Sequence, residues 1–412
     1  MSQSPFLTAQ EAAAELGVKL PTLYSYVSRG LVRSETSGNT TRERRYYAED
    51  VQRLKERQEQ RRDPTSAIAG ALHWGAPILE SSLTLINDGK LYYRGYDAVR
   101  LASQYTVEEV AGLLWEGNLR AQIDPLNKPV TKSARVRMEN LISLIRPYPL
   151  IESFQIGLLM AASEDSTAYD LRPAAVRKTG SQILRLLAAV IAGQVDEGSI
   201  AQSLAQSWMP SQSSKVTRLL DAALILLADH EFNVSSFTSR CVASAGATPY
   251  EVVTAGLAAL QGAKHGGIVN RVQALLDEIE KPSNARRVLA QRLKRGDDIP
   301  GFGHRLYPEG DPRARVLMEL MADAFPRSPA LSLSGAVIQE AKALIGEEPT
   351  SDFALAVLAR LLNLPEGYGL GIFALSRTIG WLAHAIEQYQ SDRIIRPRAR
   401  YIGSMPRADS NI

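Results

Sequence analysis

Three of the five histidines stand in polar or glycine-rich settings that suit chemistry. His265 lies in Gly262-Ala263-Lys264-His265-Gly266-Gly267, just ahead of an apolar-periodic helix through Ile268, Val272 and Leu275. At a helix N-terminus the dipole disfavours imidazolium, so the ring has reason to stay neutral and donate a hydrogen bond. The neighbouring glycines let a substrate approach the backbone. His304, in Pro300-Gly301-Phe302-Gly303-His304-Arg305-Leu306-Tyr307, is also flanked by glycine, and His230 follows Asp229. Taken singly, each is more commonly a satisfied structural histidine, and a glycine-rich loop with a histidine that closes a turn accounts equally for His304.

Charged residues join them. Asp311-Pro312-Arg313 reads as a helix start with Asp as N-cap and Pro first, but a cation in the first turn opposes the dipole. A bound anion would repair that conflict, and the arginine fork suits a carboxylate. Asp352 precedes an apolar helix, Phe353 to Leu364, ended by Pro365, and its spacing alone favours a helix cap. Arg393-Ile394-Ile395-Arg396-Pro397-Arg398-Ala399-Arg400 is an extended basic strip that Pro397 keeps out of helix; alone it reads as a solvated tail or a nucleic-acid patch. There is no phosphate loop, dinucleotide glycine signature or nucleophile elbow, and no metal-ligand spacing. Neutral histidines, a carboxylate base and several arginines fit proton abstraction beside a carbonyl and attack on an α-keto acid.

The elements that must position these residues are mostly helical. From Ala67 to Ile412 helix-period segments dominate, best in Ile372, Leu375, Ile379, Leu382, Ile386 and Tyr389, with Arg377, Trp381, His384 and Gln388 opposite. An all-α domain is expected there. A boundary is expected near Arg61-Arg62-Asp63-Pro64-Thr65-Ser66, which splits 412 residues into segments 1–62 and 68–412. In the first segment, Thr8 and Glu11 have capping-box spacing, a short helix ends at Gly17, and a second runs from Leu20 to a stop at Gly30. Leu31-Val32-Arg33, a turn at Ser37-Gly38-Asn39 and Arg42 to Tyr47 read as a hairpin wing, followed by a helix at Glu49-Asp50-Val51. Residues 1–62 hold 11 Lys/Arg and 8 Asp/Glu, and the remainder 36 of each, so the formal +3 sits in this segment. That excess is the mild mark of a polyanion-binding module, against a default of solvated surface. One cysteine, Cys241, excludes an intrachain disulfide framework and points, with no leader at Met1, to the cytoplasm. Apolar runs such as Ala222 to Ala228 fall far short of a membrane span, so no membrane role is expected.

Residues 5 to 57 resemble the winged helix-turn-helix of mercury-resistance-type regulators and excisionases. The resemblance implies that Thr22 to Arg29 enters a DNA major groove and that Arg42, Arg44 and Arg45 meet phosphates. A helical protein-docking appendage is the competing reading. Further on, Ser82-Leu83-Thr84-Leu85-Ile86-Asn87-Asp88-Gly89 with Leu91-Tyr92-Tyr93-Arg94-Gly95-Tyr96 resembles the opening signature of citrate synthases. Asp229 to Phe237, the His265 loop, and Gly301 to Arg313 resemble the family's central motifs; Phe373 to Trp381 and Arg396-Pro397 resemble its ending. The likeness spans roughly residues 68 to 405.

It implies an all-α homodimer in which a small domain of about residues 267–363 closes over a large one, 68–266 plus 364–412. It implies Asp352 as base for the acyl-CoA α-carbon, His265 as donor to the thioester oxygen, and His304 as polariser of the oxaloacetate carbonyl. His230, Arg313 and Arg377 would hold oxaloacetate carboxylates, with Arg396 reaching in from a second subunit and no metal or other cofactor needed. Phe353-Ala354-Leu355-Ala356 stands where the family has an aromatic-Ser-Gly step after the base. Asn270 is displaced from its usual place after the His265 glycines, and the Ala162–Ser214 region is short and lacks a Tyr-Arg segment. Acetyl-CoA is the expected acyl donor, giving a role in the tricarboxylic acid cycle, with propionyl-CoA and 2-methylcitrate as the runner-up. A regulator that uses the synthase domain as a metabolite sensor is the alternative from another class.

Overall fold

The structure is a computed structural model that describes residues 6–36, 44–48, 50, 51, 54, 79–120, 132–399 and 401–404. The wing turn at Ser37-Gly38-Asn39, Arg42 and the boundary stretch Arg61–Ser66 lie outside the described residues. The chain divides into two units, Met1–Glu80 and Ser81–Ile412.

In the first unit, Thr8 accepts from Glu11 N while the Glu11 carboxylate accepts from Thr8 N, a reciprocal cap that starts the Ala9–Glu15 helix. The Leu20–Ser28 helix follows, with Pro21 in its first turn. Strands Phe6–Leu7, Arg44–Tyr47 and Ser34–Thr36 form an antiparallel sheet with Arg44–Tyr47 in the middle. Ala12, Leu16, Leu23, Val32, Tyr46 and Val51 make its core. Arg33 ties the wing to the following helix: its Nε is 2.8 Å and its terminal nitrogen 3.1 Å from the Asp50 carboxylate.

Among the described residues the second unit is helical apart from one short sheet that helix periodicity does not reveal, Thr84–Asn87, Lys90–Tyr93 and Tyr96–Asp97. Capping boxes at Thr106/Glu109, Ser199/Gln202 and Thr248/Glu251 start three of its helices. One continuous apolar core runs from Leu83 to Ile386 and includes Val269, Leu317, Phe353 and Leu375. Its spine is the Tyr368–Ser391 helix. The expected stripe from Ile372 to Ile386 is buried, and so is the opposite face: Arg377 is 1% exposed and Trp381 and His384 0%. This helix is long and apolar enough to cross a membrane, yet its apolar window is wholly buried within the fold. A helix buried all round is a core helix, and polar groups on it need internal partners.

Candidate active site

His230 sits in the turn between the helices Ser213–Leu226 and Val234–Ser244. The short sheet positions that turn. Tyr93 Oη lies 3.0 Å from Ile225 O and receives Asp229 N–H at 3.3 Å, and Thr84 Oγ1 donates to the Asp229 carboxylate at 2.5 Å. The central helix presses on the other side, where Gly380 N donates to Ala228 O at 3.1 Å. A Cβ at Gly380 would collide with Ala228 O and the Asp229 side chain, so only glycine allows this approach. His384 Nε2 is 3.2 Å from Asp229 Oδ1, but off hydrogen-bonding alignment.

His304 lies on a loop stitched to the segment before Asp352. Thr350 N donates to Gly301 O at 2.8 Å and Gly303 N to Glu348 O at 3.0 Å. Gly301 takes φ +85°, and a Cβ there would stand 2.6 Å from Val272 Cγ2. Leu306 N donates to His304 Nδ1 at 3.2 Å, so the ring's one proton belongs on Nε2, which is left to donate elsewhere. Burial first, then the Arg313 charge, holds His304 at about 4, neutral at physiological pH.

Asp311 caps the Pro312–Ala324 helix, as its sequence position suggests. The expectation that a bound anion must relieve Arg313 needs correcting. The chain supplies the anion itself: Arg313 Nε and a terminal nitrogen donate to the two Asp311 oxygens at 2.9 and 2.8 Å. The same carboxylate accepts Ser351 N at 2.9 Å, at the start of the Ser351–Leu361 helix. The cap reading of Asp352 also needs correcting, since Thr350 is the N-cap and Asp352 lies inside the first turn. Besides its own backbone N–H, its carboxyl has one side-chain partner among the described residues, Thr350 Oγ1 at a long 3.5 Å. Burial raises it to about 6, with Arg313 opposing and Asp311 adding to the rise.

Arg377 is fully buried and donates through Nε to Leu227 O at 2.8 Å; its terminal nitrogens meet no acceptor among the described residues. Burial, with Arg313 adding to it and Asp229 opposing, brings it down to about 10. Its guanidinium carbon stands 4.9 Å over the Phe373 ring, and the His265 ring lies 6.2 Å from that ring. His265 is held near 4 by burial first and the Arg377 charge second, so it is neutral at physiological pH. Its Nε2 is 2.9 Å from Ser235 Oγ, which receives Trp381 Nε1–H at 3.2 Å. Ser235 has one hydrogen, and Asn233 Oδ1, 2.8 Å away, competes with His265 for it.

The structure thus brings His230, His304 and Arg313 together: the His230 and His304 rings are 5.3 Å apart. Asp352, Arg377 and His265 are tied to them through the Asp311 contacts, Phe373 and mutual electrostatics. Arg396 stays apart, exposed on the tail beyond the central helix and without a hydrogen bond or ion pair among the described residues. Residue type marks Asp311 only as a cap and does not mark Tyr307, Ser235 or Asp229; all four lie inside the motifs that draw attention to their neighbours.

Residues 70–398 match the model of the citrate synthase C-terminal domain. The chain belongs to the citrate synthase family. Residues 7–63 match the model of the MerR HTH family regulatory protein. Citrate synthase 2 of Bacillus subtilis is 31% identical over 356 residues, covering 80% of this chain and 94% of that protein. The 2-methylcitrate synthase of Shewanella oneidensis is 31% identical over 384 residues, covering 82% and 96%. Among solved structures, citrate synthase from Thermotoga maritima superposes with TM-score 0.65 at 27% identity, covering 81% of this chain and 96% of that one. As a citrate synthase family enzyme, the chain has its histidine and arginine cluster where the all-α fold closes around the central helix.

Proposed function

We propose that the synthase unit condenses acetyl-CoA with oxaloacetate, with Asp352 as base and His265 and His304 as donors. The observation that carries this reading is a buried guanidinium, its terminal nitrogens unbonded among the described residues, beside a raised carboxyl. Arg313 is neutralised by Asp311, but Arg377 faces the site without a bonded carboxylate. A substrate carboxylate supplies the acceptor that those nitrogens lack. His304 Nε2–H meets the ketone oxygen of oxaloacetate and draws charge from its carbon. Asp352 takes the α-proton of the thioester while His265 stabilises the enol oxygen. For that, Ser235 O–H turns from Asn233 Oδ1 to His265 Nε2, which leaves Nδ1–H for the thioester. The new carbon–carbon bond gives citryl-CoA, and water then releases citrate and CoA. His230, Arg313 and Arg377 hold the carboxylates. Arg396, exposed on its tail, completes the site of a second copy in a homodimer. No metal or further cofactor takes part, and the enzyme works in the cytoplasm.

The test is release of free CoA from acetyl-CoA plus oxaloacetate, repeated with propionyl-CoA. Higher kcat/KM with acetyl-CoA supports citrate synthesis. Preference for propionyl-CoA supports the 2-methylcitrate reading, which the equal identity to both kinds of relative favours as the alternative. The match of residues 7–63 favours a second role, DNA binding by the N-terminal unit. Salt-dependent binding lost in Arg44→Ala/Arg45→Ala supports it, and no binding at low salt rejects it.

A further inference from the structure

Tyr307 is 2% exposed and lies among the residues assigned to oxaloacetate. Its ring is 4.9 Å from the His304 ring, and the Arg313 guanidinium carbon is 5.4 Å from its centroid. Its Oη is 3.0 Å from His230 Nε2 and has no other partner among the described residues. The other ring nitrogen of His230, Nδ1, makes no hydrogen bond to a described residue and is not sealed from open space.

A neutral imidazole shares one proton between two nitrogens, and an ionised carboxylate only accepts. For Nδ1 to meet a substrate carboxylate it must carry the proton, which leaves Nε2 bare. The 3.0 Å contact then runs from the phenol into the imidazole. We propose that Tyr307 is a positioning residue for oxaloacetate: its hydroxyl donates to His230 Nε2 and fixes the tautomer whose Nδ1–H faces a substrate carboxylate. The opposite arrangement would turn a bare lone pair toward the anion. Both groups hold the protonation this requires. Burial raises the phenol to about 12, and burial, Arg313 and Arg377 keep His230 neutral. Tyr307 therefore acts through His230, as an outer partner fixes the tautomer of a histidine that binds something else.

The inference rests on His230 as an oxaloacetate ligand, so two measurements on the full chain separate the claims. Tyr307→Phe keeps the ring, its packing on His304 and its stacking with Arg313, and deletes only the hydroxyl. KM for oxaloacetate should rise about five- to tenfold, the worth of one hydrogen bond. The kcat and the KM for acyl-CoA should hold, because a carboxylate contact is equal in ground and transition states. Nitrogen NMR of labelled histidines in the substrate-free wild type, with His230→Gln for assignment, should show Nδ1 protonated and Nε2 bare; in Tyr307→Phe the two tautomers should mix. An unchanged oxaloacetate KM overturns the proposal, as does a parallel loss of kcat, acyl-CoA affinity and thermal stability. A His230 protonated at Nε2 in the wild type also overturns it. If the wild type turns over oxaloacetate with neither acyl-CoA, the functional reading fails, and the tautomer alone decides whether Tyr307 donates to His230.

Discussion

Replacing Asp352 by Asn should make the protein more stable and nearly inactive, and the stability gain should depend on pH. Burial raises the carboxyl from 3.8 to about 6. At about 1.4 kcal/mol per pH unit, holding the ionised form in the fold costs about 3 kcal/mol. Asp352 keeps partial exposure, so water screens some of this, leaving about 2 kcal/mol. A folded value above the unfolded one means the fold prefers the protonated acid. That preference stabilises the fold below pH 3.8 and is lost as pH rises through about 6. Asn is never ionised. Urea unfolding of wild type and Asp352→Asn at one protein concentration should therefore agree near pH 4, diverge between pH 4 and 6, and differ by about 2 kcal/mol above pH 7. In the CoA-release assay the same variant should lose about 100- to 10,000-fold in kcat, and wild-type kcat should fall below pH 6 as the base takes its proton. A variant no more stable than wild type at pH 8, or a gain independent of pH, would refute the account of a carboxylate held ionised against its environment.

Three further outcomes follow from the same geometry. Asp311→Asn, which removes the charge that raises Asp352 and neutralises Arg313, should move the acidic limb of kcat to lower pH; an unmoved limb contradicts the field attributed to Asp311. Ring titrations followed by NMR should show His265 and His304 taking protons only near pH 4, and a midpoint above 6 for either would mean that burial does not control it. Gly380→Ala should cost about 3 kcal/mol, because its Cβ meets backbone at Ala228 that cannot swing aside, and a thermal scan within a degree of wild type would show that the close packing is not required.

How far the sequence could be read follows from which partners are local. Thr8 and Glu11 are three residues apart, and both signals of their helix start were legible. The glycines around His304 were legible too, although what they avoid, Val272 and Glu347, is distant in sequence. The short sheet from Thr84 to Asp97 was missed, since strands of two to four residues offer too little alternation. Asp311 was read as a cap because that role is local. Its bond to Arg313 is as local as the cap, but the one to Ser351, 40 residues away, is tertiary, and one carboxylate serving both links Arg313 to the helix that carries Asp352.

The departure after Asp352 gains a physical meaning from the same distinction. Phe353, Ala354, Leu355 and Ala356 are each 0% exposed and belong to the continuous core, and Phe353 stacks on Phe302 at 4.9 Å. These side chains belong to the core that supports the helix of Asp352, so the change repacks that support while Asp352 keeps partial exposure. Phe302 is the link that matters. It stands two residues before His304 on the loop stitched to Pro349, so the Phe302–Phe353 contact couples the helix that carries Asp352 to the loop that carries His304. On the proposed role of Asp352 at the acyl α-carbon, acyl-group preference is expected to respond to Phe302, which packs on the neighbouring Phe353, more than to Ala354 or Ala356. Phe302→Leu should change the ratio of kcat/KM for propionyl-CoA to acetyl-CoA by about threefold or more, while Ala356→Gly changes stability and leaves that ratio alone. An equal ratio in wild type and Phe302→Leu would move the determinant to the His265 turn.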